Sequence, residues 1–189
     1  MAEIVPGIVE GRACGACTIC CIVPGIDTSQ IQKRTGSVCR NCQSGGGCAI
    51  YDARPDACRD FFCAWMHSPG LGAEWRPDLS GVFLQEVDIK GRPALSLMLV
   101  DDALRTVRQE WFVAFITDQL RRGTLLVLAL PGPQGTRSAK LLLNGEDMNR
   151  AAAGSPEQVR QVLRRNVKTL LESDFEPLPL LNSGNDTST

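Results

Sequence analysis

Nine cysteines lie between positions 14 and 63 of this 189-residue chain, and none follows. A two-residue spacer between cysteines curls the backbone so that two thiolates can converge on one ion. We therefore assign all nine as candidate metal ligands, enough to fill two four-coordinate sites and leave one over. They form three groups along the sequence: Cys14, Cys17, Cys20 and Cys21; Cys39, Cys42 and Cys48; and Cys58 and Cys63.

The first group carries two overlapping C-x2-C steps. Gly15 and Ala16 are small, so backbone N–H groups can approach the sulfurs there and offset thiolate charge. Adjacent Cys20 and Cys21 are hard to direct at the same ion. They either serve two neighbouring sites, or one of them stays free.

Disulfides would require an oxidising compartment. The N-terminus carries Glu3, Pro6 and Glu10 where a signal peptide needs a basic start and an unbroken apolar run. No stretch approaches the 18 apolar residues typical of a membrane span. We therefore expect a cytoplasmic protein with reduced thiols and no membrane association.

The spacing also bears on which metal is bound. A bacterial ferredoxin motif continues C-x2-C-x2-C with C-x3-C-Pro, whereas here Cys21 follows Cys20 directly. This favours zinc, with iron or an iron–sulfur cluster as the alternative, since thiolates bind both. His67, four residues after Cys63, is more typical of a packing residue than of a ligand.

Charge excludes some partners. A net charge of -1 and a pI near 5.9 give no electrostatic basis for binding nucleic acid. The predicted partner is a metal ion, together with a protein partner through the cysteine-free part of the chain.

The composition divides the chain into a cysteine-rich region at 1–75, an α+β region at 76–180 and a flexible tail at 181–189. The first region is loop-rich, and a metal can stabilise such a segment where a hydrophobic core is lacking. The predicted fold class is thus α+β, with a loop-rich cysteine metal cluster followed by a small antiparallel or mixed sheet and covering helices.

Hydrophobic patterns in the second region predict four strands and two helices over 81–172, folding largely without metal. Packing of Trp65 or Trp75 against this unit would couple the two regions. Ser155-Pro156 is a typical helix start. The predicted strands are 81–89, 94–101, 124–132 and 138–145, and the predicted helices are 103–122 and 155–172.

Combined, several motifs resemble one family. They are Cys14-x2-Cys17-x2-Cys20-Cys21, then Gly47-Cys48, Ile50-Tyr51, Arg54-Pro55, Cys58-Arg59, Phe61, Cys63 and Trp65. The pattern is similar to the YkgJ-like, or CxxCxxCC, family of zinc- or iron-chelating domains, and covers roughly a third of the chain. The resemblance implies metal ligation by Cys14, Cys17, Cys20, Cys21, Cys48, Cys58 and Cys63, with Cys39 and Cys42 in the variable middle.

Some relatives in that family are described as lysine N-methylases acting on flagellin, but this chain has no glycine-rich cofactor loop that would support methyl transfer. We therefore expect a structural-metal or interaction module. The alternatives are an iron–sulfur redox protein or a metal-dependent enzyme, including a lysine N-methylase-related one, and no catalytic residue stands out. Arg54 and Arg59 either donate hydrogen bonds to the thiolates or shape a turn and pair with Asp56 or Asp60.

Overall fold

The computed structural model describes residues 7–179. Its cysteine-rich region is loop-like, as predicted, and no helix or strand before residue 76 exceeds four residues among those described. These elements are α1 (Ile19–Ile22), β1 (Ile26–Asp27), β2 (Gln32–Lys33), α2 (Asp56–Arg59) and α3 (Ala64–His67), with 3-10 turns at Tyr51–Ala53 and Ala73–Trp75.

The second region confirms the α+β class. It contains both strands and helices, and the longest have eight and sixteen residues. In chain order they are α4 (Pro77–Ser80), β3 (Val82–Ile89), β4 (Arg92–Leu99), α5 (Ala103–Thr106), α6 (Glu110–Arg121), β5 (Leu125–Leu130), β6 (Ala139–Leu142), α7 (Glu146–Ala153) and α8 (Pro156–Leu171).

Four strands form one mixed sheet in the order β3-β4-β5-β6. The predicted hairpin joins β3 to β4, and its two turn residues, Lys90 and Gly91, have φ of 53° and 78°. Positive φ at both positions matches the type I′ turn that suits the twist of a hairpin. β4 and β5 run parallel, so the chain crosses over through α5 and α6 between them.

The centre of the sheet is buried on both faces, which explains why β5 and the adjoining parts of β3 and β4 are continuous apolar runs. One face packs against the long helices through residues such as Leu84, Leu97 and Leu128. The opposite face carries a row of three neighbouring residues, Phe83, Met98 and Ala129, one from each of β3, β4 and β5. This row packs against the cysteine-rich region, with the residues Ile19, Cys20, Val23, Phe61 and Cys63.

The last helix begins where the sequence predicts. The Ser155 side chain accepts from the Gln158 N–H, and the Gln158 side chain accepts from the Ser155 N–H, which completes a capping box. Its buried stripe has helical spacing and consists of Val159, Leu163, Val167 and Leu170.

The single helix predicted over 103–122 is wrong, because the structure divides it into α5 and α6. Gln109 is extended, with φ of −66° and ψ of 132°, and separates the two. Val107 and Phe112 are both fully buried in the same core. In a continuous helix these positions would point about 140° apart, so the break lets both reach the core.

Two helices pack against the sheet, as predicted, and they are α6 and α8. The structure adds α7, which packs against α6 and α8. Its signals were Glu146 and Asp147 in the first turn, and the buried Met148, Ala151 and Ala152 at spacings of three and four.

The predicted tail at 181–189 lies outside the described residues. Within residues 7–179, no helix combines the length and the apolar character that a membrane crossing needs.

Candidate metal centre

The cysteines lie on short helices and turns. Cys20 and Cys21 are in α1, and Cys63 directly precedes α3. Cys14 and Cys17 close a turn in which the Cys17 N–H donates to the Cys14 carbonyl at 2.9 Å. All nine are free thiols of intermediate burial. Local hydrogen bonds thus fix the positions of neighbouring cysteines, and the packing of the loops decides which of these cysteines come together.

A cavity of about 340 Å³, here called the main cavity, gathers thiols from all three sequence groups. Cys42 joins this set through backbone pairing with Cys48 and a thiol contact with Cys21. The fold therefore brings together cysteines as far apart in sequence as positions 14 and 58. The seven that line the cavity are Cys14, Cys17, Cys20, Cys21, Cys39, Cys48 and Cys58.

A second cavity of about 30 Å³, here called the small cavity, lies where the cysteine-rich region meets the sheet. Phe83 from β3 and Arg76 from the segment before α4 form part of its wall. Cys63, which does not line the main cavity, is found here. The four cysteines of its wall are Cys14, Cys17, Cys20 and Cys63.

The glycine loop at 44–47 holds the second cysteine group against the first. Gly46 has φ of 91°, and a Cβ atom there would lie 2.5 Å from the Ala16 carbonyl oxygen. Only glycine combines that backbone conformation with such a close approach. The loop is thereby seated on the turn between Cys14 and Cys17.

Backbone N–H groups face two of the thiols. Burial raises the pKa of Cys17, and the backbone at Ile19 donates a hydrogen bond that partly lowers it. Burial likewise raises the pKa of Cys63, which is offset by backbone hydrogen bonds from Met66 and Trp65. Donors of this kind stabilise a thiolate once it forms.

The pKa values of the other cysteines reflect crowding of thiols. The hydrogen bond with Cys20 raises the pKa of Cys21, and burial raises it further. Burial is the first cause of the raised pKa at Cys42 and Cys58, followed by the charges of neighbouring cysteines. Without a cation these thiols hold their protons, and a bound cation would release them.

Lys33 is a buried cation in the wall of the main cavity, only 5% exposed. Its Nζ donates to the carbonyls of Ile22 and Ser37, each at 2.8 Å, and to that of Arg34 at 3.3 Å. Burial lowers the pKa of Lys33, and four nearby cysteines oppose this: Cys39, Cys21, Cys20 and Cys58. A fixed ammonium beside several thiols suits a cluster that becomes negatively charged.

Sequence reasoning did not single out Lys33 or Arg76. Arg76 Nε is buried and has no hydrogen-bond partner among the described residues, while Nη2 donates to Asp78 Oδ2 at 2.8 Å. Neither residue lies in a cysteine motif, so no local signal marks it.

The arginines within the motif favour the turn-shaping interpretation. The Arg54 guanidinium lies 3.9 Å from the centre of the Tyr51 ring and donates to the Tyr51 carbonyl at 2.9 Å and the Cys58 carbonyl at 3.4 Å. Arg59 pairs with Asp56 on the surface. Arg54 therefore holds the backbone around Cys58, whereas Arg59 makes only a surface pair.

The predicted ligands share cavity walls but do not converge. Within residues 7–179, no group of three or more His, Cys, Asp or Glu side chains is arranged to hold a metal ion. His67 ends α3 and lines neither cavity. The donor set suits a thiophilic ion by its chemistry, and each free thiol has staggered χ1 positions into which it can turn. Binding would therefore require side-chain rotation within a fold that already gathers the sulfurs.

Comparison with family models, curated proteins and solved structures finds no match for this chain. The similarity to the CxxCxxCC family accordingly rests on the motif residues themselves.

Proposed function

We propose that this protein binds metal through its cysteine thiolates, with zinc as the metal, and that the metal stabilises the loop-rich region. The observation that carries the proposal is the main cavity, where folding brings together seven of the nine free cysteines.

Two features support metal binding over simple packing of cysteines. Buried cysteines that act as small hydrophobic residues belong to a core, yet none of the nine is among the fully buried core residues. They instead surround a space of about 340 Å³. Thiols that border a cavity at intermediate burial are available to a ligand.

The surrounding charges also suit a thiolate site. A divalent cation with four thiolates carries two net negative charges. Lys33 contributes a buried positive charge beside the main cavity, and backbone N–H groups face Cys17 and Cys63. Such donors and charges around the ligands raise metal affinity.

The metal would take the role that a core takes elsewhere. Structural zinc contributes about 10–16 kcal/mol to the folding of small zinc peptides. A region built from helices and strands of two to four residues has few other cooperative contacts. A role as an interaction module, with the α+β region binding a protein partner, is the biological function we propose for the stabilised fold.

Elemental analysis of protein purified without oxygen tests the proposal. We expect one or two equivalents of zinc and a colourless protein. His67→Gln is the matched control, because His67 lines neither cavity, and it should retain the wild-type metal content. Less than about half an equivalent of any thiophilic metal would contradict the proposal.

The same preparation distinguishes the alternatives. A brown protein with iron and acid-labile sulfide would identify an iron–sulfur redox protein instead. A metal-dependent enzyme needs an open coordination position. Asp27 is the one carboxylate among the described residues that line the main cavity, so Asp27→Asn is the variant to compare in any assay of metal-dependent activity.

A further inference from the structure

The small cavity has room for a single ion. Its volume of about 30 Å³ exceeds the roughly 10–15 Å³ that a cavity needs to hold one water molecule. Four cysteines contribute to its wall, the number that a closed tetrahedral zinc site uses. The rest of the wall is largely apolar, with Phe61, Trp65, Met66 and Phe83.

Arg76 supplies an independent observation at the same place. Its Nε is buried without a partner among the described residues, and the residue lines the small cavity. Buried donors in folded proteins are almost always paired. A thiolate site with two net negative charges would give this Nε an acceptor, while Nη2 keeps its pair with Asp78.

The five cysteines that do not line the small cavity lie close to one another. The thiol of Cys21 is in hydrogen-bonding range of Cys42, and Cys58 lies near Cys39 and Cys48. Lys33 lies near Cys39, Cys21 and Cys58 of this set, and near Cys20 as well. The five thiols therefore have a buried ammonium beside them, and they leave one spare for a four-coordinate ion.

Cys20 links the two sets, because it contacts Cys21 and, like Cys14 and Cys17, lines both cavities. Adjacent cysteines in α1 would point to different ions, which resolves the difficulty of directing both at one. Cys20 therefore belongs to the set beneath Arg76, and Cys21 to the set beside Lys33.

The geometry points to two metal sites of different character, an inference that rests on the proposed function. The first is a closed four-cysteine zinc site of Cys14, Cys17, Cys20 and Cys63, with Arg76 as a positioning donor to its thiolates. The second is an open site in the main cavity, formed by four of the other five cysteines: Cys21, Cys39, Cys42, Cys48 and Cys58.

The two metal sites would have different roles. The first joins the 14–20 segment to the residues that pack on the sheet, since Cys63 and Phe83 belong to one apolar cluster. The second borders a space about ten times larger by volume. We therefore expect the first site to release zinc slowly and the second to exchange it readily.

Zinc release from the full chain to a chromogenic chelator, followed without oxygen, tests the inference. The wild type should hold two equivalents and release them in a fast and a slow phase. Cys14→Ser with Cys63→Ser should remove the slow phase alone, and Cys39→Ser with Cys48→Ser should remove the fast phase alone.

Arg76→Gln should weaken zinc binding in the slow phase by about 10–100-fold, as expected for loss of a hydrogen bond to a metal ligand. Arg76→Lys keeps the positive charge and should recover part of that loss. Arg59→Gln, which removes a surface pair with Asp56, is the matched control and should release zinc like the wild type.

The outcomes separate the two proposals. A wild type without metal contradicts the proposed function itself. A wild type that releases all its metal in one phase, or folded double variants that both lose all their metal, would overturn the two-site inference alone. If the Cys14 and Cys63 variant does not fold, the Arg76 variants decide, and an unchanged slow phase in both overturns the inference.

Discussion

The two regions of this protein differ in how much hydrophobic core stabilises them. After residue 75, strands of up to eight residues and three long helices enclose a continuous apolar core. Before residue 76, the described buried hydrophobic residues are only six: Val23, Ile31, Ala64, Met66, Leu71 and Trp75. A core needs many such residues in mutual contact. The comparison teaches that the cysteine-rich region has little core of its own beyond its contacts with the sheet it covers.

The regions are nevertheless joined. Trp75 packs on α6, with ring centroids 4.8 Å from Trp111 and 4.4 Å from Phe115. On the other face of the sheet, Phe61 and Phe83 lie 5.9 Å apart. These contacts cross the boundary predicted between residues 75 and 76. The independence of the second region stays a prediction, and the contacts favour coupling.

Removal of metal should have the largest effect. Because structural zinc contributes about 10–16 kcal/mol in small zinc peptides, we expect chelation to unfold the region up to residue 66. The variants Cys14→Ser and Cys58→Ser should each raise the protease sensitivity of that region by less than chelation does, because each leaves the other site able to bind metal. Limited proteolysis and far-UV circular dichroism measure this, and an unchanged digestion pattern in that region would show that the metal is not structural.

Removal of the cysteine-rich region should come next. A chain that begins at Ser80 lacks Trp75 and exposes Phe83, Met98 and Ala129, which the missing region covers. We expect it to be less stable than the chelated full chain and to bind a hydrophobic dye. Thermal unfolding compares the two, and equal stability with a cooperative transition would establish independent domains.

Phe83→Ala should break the contact between the regions. Truncation of a buried phenylalanine costs about 3–5 kcal/mol. It should also make the cysteine-rich region more susceptible to protease, because Phe83 packs against Phe61. Leu163→Ala is the control, since this fully buried residue of α8 lies in the helix-side core. A similar loss of stability without new cleavage before residue 76 is expected there.

Gly46→Ala should have an intermediate effect confined to the first region. Its positive φ and the approach to the Ala16 carbonyl should cost about 1–3 kcal/mol and weaken metal binding. Gly45→Ala is the matched control, because a Cβ there meets nothing within 4 Å. Equal zinc affinities for the two variants would show that the 44–47 loop does not hold the site together.

Ser155→Ala should have the smallest effect and should leave the metal content unchanged. Loss of the capping box at α8 costs about 1 kcal/mol. Denaturant unfolding measures the loss of stability. Zinc analysis should show unchanged metal content, in contrast to the weakened binding expected for Gly46→Ala. A change in zinc content here would mean that the second region controls the site more directly than the contacts indicate.

The strands and the last helix were predictable because their signals are local. Periodic apolar residues and the Ser155-Pro156 start describe the same residues that form hydrogen-bonded elements. The break at Gln109 and helix α7 were missed. The apolar residues of 103–122 lie near a helical period as a group, although Val107 and Phe112 would not share a face of one helix, and α7 has just eight residues. Short or interrupted elements depend on packing that a single pattern does not record.

The sequence by itself determined the chemical groups of this protein: nine thiols, several of them in C-x2-C spacings, followed by an α+β region with no cysteine. Only the tertiary structure gathered eight of those thiols around two cavities, three of them in both walls, and placed Lys33 and Arg76 beside them. The physical reason is that a spacer of two residues fixes how neighbouring thiols can converge. Which pairs then meet is decided by loops that have no periodicity and by the face of the sheet on which they pack.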